Sequence, residues 1–174
     1  MKNILFIALS IFLLCTIVGC SGGFSAEFKD DYTLFVEAAD RIEGLAAEEI
    51  SYAEFLVQLE EIQTFYKNFA AHEWPDQLSA AYASFETAMH SLNLVKEVWD
   101  VYNKGSGSWR CSLARDVGND VARTLEFQER LDDTDESALK WLRSQTCDVI
   151  IKDLLEKFSL HYTAGKDEME DFLH

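Results

Sequence analysis

The chain of 174 residues holds a single proline, Pro75, and only eight glycines, so it has few helix breakers. Asn-Gly and Asp-Gly pairs are absent. No segment alternates β-branched with polar residues, which removes the usual signatures of hairpins and half-buried strands. Basic residues are also scarce: 15 Lys and Arg stand against 31 Asp and Glu, a net charge of −16. That imbalance disfavours nucleic acid and anionic lipid headgroups as partners, since both would be repelled. Cys-x-x-Cys-His and His-Glu-x-x-His motifs are missing, and with them the sequence signs of a c-type haem or a zinc protease. Ala, Leu, Glu, Phe and Tyr dominate what remains, and the chain reads as all-α.

The amino terminus has a different character. After Met1-Lys2-Asn3, an apolar run extends from Ile4 to Val18, interrupted only by Ser10, Cys15 and Thr16. As a helix it would span about 22 Å, short of the ~30 Å hydrocarbon core. A charged start, a short apolar stretch and a small-residue end form a secretory signal pattern rather than a stable span. The closing residues Ile17-Val18-Gly19-Cys20 resemble the lipobox of bacterial lipoproteins. That resemblance covers residues 1–20 and implies cleavage between Gly19 and Cys20, a diacylglycerol on the Cys20 thiol and an acylated new amino terminus. Two or three acyl chains suffice for stable anchoring, at ~0.8 kcal/mol per buried CH₂. Cys15 would be discarded, and Lys2 is the only charge lost. Ser21, where an aspartate would resemble an inner-membrane retention signal, points to the outer membrane of a Gram-negative cell, facing the periplasm. Residues 1–19 are thus expected to be signal peptide, 20–24 a lipidated tether, and 25–174 one helical domain held close to its membrane.

Within that domain, apolar residues recur at alternating spacings of three and four. Phe28, Tyr32, Phe35, Ala39 and Ile42 predict a helix from Ser25 to Glu43, followed by a break or short turn over Gly44 and the Ala-Ala-Glu-Glu segment. Ser51 and Glu54 form a capping box, with Ile50 placed to staple against Phe55. Tyr52, Phe55, Leu59, Ile62, Tyr66 and Phe69 then predict a second helix ending near His72. Pro75 and Asp76 suit a first turn. Leu78, Ala81, Phe85, Ala88, Leu92, Val95, Trp99 and Tyr102 predict the longest helix, closed by the loop Gly105-Ser106-Gly107-Ser108. A helix is expected over 119–131, weakened upstream by Gly118. A turn and cap follow at Asp132–Glu136. The last helix is expected to carry Leu139, Leu142, Val149, Ile150, Leu154 and Phe158 as far as Tyr162, with 163–174 as a frayed acidic tail. Four or five helices joined by short loops make a single antiparallel bundle.

Cys111 and Cys147 are the remaining thiols, and an exported chain with an even pair is expected to form a disulfide. In a hairpin turning near residue 133, however, Cys147 would lie level with about position 119. The chain before Gly118 must then double back to close the bond.

Candidate chemistry is sparse. Glu86 and His90 are an i, i+4 pair on a water-facing position, not the Glu-x-x-His pair of a di-iron bundle. His161 continues the last apolar stripe as a packing histidine. Counting an EF-hand loop from Asp133 puts Ala138 at the obligatory glycine and Ser144 at the bidentate glutamate, which excludes that site. Glu60 and Glu61 fall on different sides of their helix and read as solvated. No catalytic set, metal site or cofactor is expected beyond the lipid on Cys20. Trp109, beside the glycine loop, and Trp141, sharing a helical face with Gln145, Asp148 and Lys152, are the candidate binding residues. The expectation is a non-enzymatic, membrane-anchored binding or structural module for a protein partner of basic character. An inhibitor or immunity-type protein that neutralises a basic exported enzyme, and a small-ligand carrier, are the alternatives.

Overall fold

A computed structural model describes residues 24–46, 51–104, 111–125 and 140–173. The described residues are helical and contain no strand. Ser25 caps the first helix, α1 (Ala26–Ala46), its hydroxyl accepting from the Phe28 amide at 3.1 Å. The helix runs through Gly44 and ends at Ala46, inside the segment where a break or short turn was expected; residues 47–50 lie outside the described residues. A glycine so near a helix end costs at most about 1 kcal/mol. The capping box forms as expected at the start of α2 (Tyr52–Ala70), with reciprocal bonds between Ser51 and Glu54. Ile50, its proposed staple, lies outside the described residues. Pro75 caps a single 3₁₀ turn, Asp76–Leu78, that leads into α3 (Ser79–Lys104).

Beyond α3 the boundaries move. The short helix α4 spans Arg115–Thr124 and begins upstream of Gly118, which is buried within it. The Gly105–Ser108 loop, the far end of the expected 119–131 helix, the Asp132–Glu136 cap and Leu139 lie outside the described residues. Residues 140–142 are helical, but a turn at 143–146 separates them from α5 (Cys147–Leu173). The Ser144 and Gln145 amides donate to the Trp141 and Leu142 carbonyls, and the Ser144 hydroxyl also donates to Trp141. Helix α5 then continues far past Tyr162, with Gly165 and Met169 buried, so the segment expected to fray is core.

Neighbouring helices run antiparallel. Phe28 meets Phe69, Tyr52 meets Trp99, Phe85 meets Tyr162, and Phe24 meets Phe172. The result is an up-down-up-down bundle in which α3 packs most closely on α5, and α1 on α2. A continuous aromatic core joins the two pairs: Phe35, Phe69 and Phe85 are fully buried, with ring centroids 5.1–5.8 Å apart. The close approach of α3 and α5 depends on Gly165, whose Cα faces the Phe85 ring and the Ala81 carbonyl. The seams also differ from expectation at several positions, Tyr52 and Tyr66 being half-buried. Trp99 is only half-buried, Tyr102 is 45% exposed and Val149 is 41% exposed, while Val98 and Ile151 fill the core.

Candidate functional site

Three regions hold the residues of interest. The first is the end of the bundle at which α1 begins. Phe24 stacks on Phe28 at 3.9 Å between centroids and meets the Phe172 ring edge-on at 5.6 Å. Trp74 packs on Phe28, Phe69 and Tyr82. Beside them His72 Nε2 lies 2.7 Å from Asp31 Oδ2. Cys20 lies outside the described residues, four positions before Phe24. An extended chain of that length reaches at most about 15 Å.

The second region is the opposite end, about 39 Å away along the 26 residues of α3. Here Cys111 and Cys147 are joined by a disulfide, with Cα atoms 4.7 Å apart. The turn at 143–146 resolves the register conflict expected from a continuous hairpin. It delivers Cys147 at the first residue of α5, and the Cys111 amide donates to the Gln145 carbonyl at 3.1 Å. The bond is buried and ties the chain before α4 to the start of α5. Trp141 is half-buried and packs against the core just before the turn. Because the helix is broken there, the face it was expected to share with Gln145, Asp148 and Lys152 does not exist. Trp109 lies outside the described residues.

The third region is the flank of the bundle, where polar ties cross between helices. The buried Tyr162 hydroxyl donates to Asp40 Oδ1 at 2.5 Å, and Lys166 Nζ donates to both Asp40 oxygens at 2.9 and 3.2 Å. Burial pulls the Asp40 carboxyl upward, but the bonds from Tyr162 and Lys166 and the Lys166 charge outweigh it and hold it below its ordinary value. Burial first, then the adjacent Asp40, pushes the Tyr162 phenol far up. Ser159 donates to Glu43 on the same seam. Between α2 and α3, the Tyr52 hydroxyl donates to Asp100, whose other oxygen is 3.2 Å from Lys96 Nζ. Burial and then Asp100 push Tyr52 up to about 12, while the Tyr52 bond holds the Asp100 carboxyl down. Sequence periodicity missed these ties because every acceptor lies off the apolar seams.

An open groove of about 280 Å³ runs along the outer side of α2, lined by Val57, Glu60, Glu61, Thr64 and Phe65. Glu60 and Glu61, expected on different sides of the helix, both line it, and Glu61 pairs with Arg41 of α1 at 2.7 Å. The sequence signals for this groove are Val57 and Phe65, apolar residues standing off the seam.

Glu86 and His90 are exposed and His161 is half-buried, as their heptad positions imply. Among the described residues no group of three or more His, Cys, Asp or Glu side chains is arranged to hold a metal ion. Nor is any described helix long and apolar enough to cross a membrane. Comparison with protein-family models, with curated proteins and with solved structures finds no match.

Proposed function

We propose that this chain is a lipid-anchored helical module that meets a protein partner on the periplasmic side of a bacterial membrane. The observation that carries the reading is the Ile17-Val18-Gly19-Cys20 sequence, which ends four residues before an aromatic that packs into one end of the bundle. With acyl chains on Cys20, the Phe24–Phe172 end faces the bilayer. The disulfide end then projects up to about 39 Å from it. Acidic helix surface supports a partner of basic character. The same feature favours the second reading, an inhibitor of a basic exported enzyme.

Two experiments test the two halves. Cys20→Ala is expected to release the protein from membranes or to stop its processing; a variant that still shifts in size and stays in the membrane fraction refutes the anchor. Pull-down from detergent-solubilised membranes with the native anchor tests the partner, and recovery of none counts against it.

A further inference from the structure

The groove on α2 sets apolar side chains beside negative charge. Val57 is 64% exposed at its rim. Leu34, 40% exposed, lies on α1 two turns before Arg41. A seven-residue step returns to almost the same helix face. Since Arg41 reaches Glu61 and Gln58, the antiparallel register puts Leu34 level with Phe65. An apolar strip of Leu34, Phe65 and Val57 thus follows the α1–α2 seam. Glu61 stands between Val57 and Phe65 on the same helix row, and Glu60 lies on the adjoining row. Glu61 is engaged by Arg41, but the Glu60 carboxylate makes no ion pair among the described residues.

Shape narrows the occupant. The cavity falls just below the ~300–1,000 Å³ of clefts that enclose small molecules, and it is open along its length. Its walls are the helix rows 57–61–65 and 60–64, whose intervening groove is the kind that accepts the side-chain ridge of another helix. Charge narrows it further. A second copy of this chain, itself carrying −16, would bring Glu60 and Glu61 against like carboxylates. A helix with an apolar ridge and flanking Lys or Arg would bury the strip and neutralise Glu60.

We infer that the α1–α2 face is the partner-docking surface and that it takes a basic amphipathic helix, with apolar residues seated between Val57 and Phe65 and a cation on Glu60. This rests on the partner-binding reading above and names its surface.

The test places the photo-crosslinker p-benzoylphenylalanine at position 57 or, separately, at 160 in the full lipidated chain in its own cells. Leu160 is similarly exposed, at 59%, but stands on α5. The expected result is an adduct from position 57 and none from 160, with the captured segment a basic amphipathic helix. In the background of Glu60→Lys, the yield should fall about tenfold while the helical circular dichroism is unchanged. Capture from 160 alone overturns this surface but leaves the partner reading standing, whereas capture from neither position refutes both. An adduct from 57 to a second copy of this chain, or to a segment without basic residues, overturns the proposed occupant. Undiminished capture by the Glu60→Lys variant overturns the role of its charge.

Discussion

Replacing Gly165 with alanine is expected to destabilise the bundle, although the same change at an open helical site stabilises it. Helix propensity alone favours alanine by about 1 kcal/mol. At Gly165 the new methyl would lie 2.8 and 2.9 Å from the Phe85 ring carbons Cε1 and Cδ1, and 3.1 Å from the Ala81 carbonyl oxygen. Neither neighbour yields easily. The Phe85 ring is fully buried and held by Phe35 at 5.1 Å and Phe69 at 5.8 Å, and the carbonyl belongs to the α3 backbone. Overpacking of this kind costs about 1–3 kcal/mol, and contact with both a wedged ring and main chain places it at the upper end. The net loss is then about 1–2 kcal/mol, or a fall of about 3–6 °C in Tm for a chain of this size. Urea unfolding followed by circular dichroism measures it, with the slope unchanged and the midpoint lowered. Gly44→Ala is the internal control, because no atom lies within 4 Å of the added methyl. It should gain up to about 1 kcal/mol. Pairing Gly165→Ala with Phe85→Leu should cost less than the two single changes added together. If Gly165→Ala matches or exceeds the wild type, the α3–α5 contact is not limited by this glycine and the reasoning fails.

Met169→Ala should cost about 2–3 kcal/mol in the same assay, since the side chain is fully buried; a frayed terminus would show no change. Reduction of the Cys111–Cys147 bond, which closes a separation of 36 residues, should cost roughly 3–4 kcal/mol by loop entropy. Thiol titration of unfolded, unreduced protein should find neither cysteine free, and two free thiols besides Cys20 would refute the bond. Because Asp40 is held below its ordinary value, its contribution to stability is present above about pH 4 and is lost as pH falls through the folded-state value. Tyr162→Phe removes a bond that lowers this carboxyl. The variant should therefore lose less stability than the wild type between pH 7 and pH 3, by at most about 1 kcal/mol given the half-exposed carboxylate. Equal losses in the two proteins would refute the link.

Periodicity made the four long helices legible because burial of one face is a repeating demand along each of them. Phe28 to Ile42 and Tyr52 to Phe69 line the core much as their spacing implies. The failures occurred where a local rule met a tertiary one. Gly165 read as a gap in an acidic tail, yet it continues the Phe158, Tyr162 and Met169 stripe, and its lack of a side chain is what lets α3 approach. Tyr102 continues an apolar seam into solvent, while Trp99 is half-covered by Tyr52 and Phe55. The break at 143–146 left no mark in composition, because Ser144 and Gln145 are tolerated inside helices. It is set by the need to present Cys147 to Cys111.

The sequence by itself determined the helical class, the Ser51–Glu54 cap, the pairing of two cysteines and the expectation of a lipid at Cys20. All of these depend on residues close together in the chain or on simple counting. The tertiary structure alone decides which end of the bundle holds Phe24, how the register permits the disulfide, and that Val57 and Phe65 line one groove with Glu60. Those relations join residues on different helices or on the outer rows of one, and they follow from the antiparallel register, which no single amphipathic pattern contains.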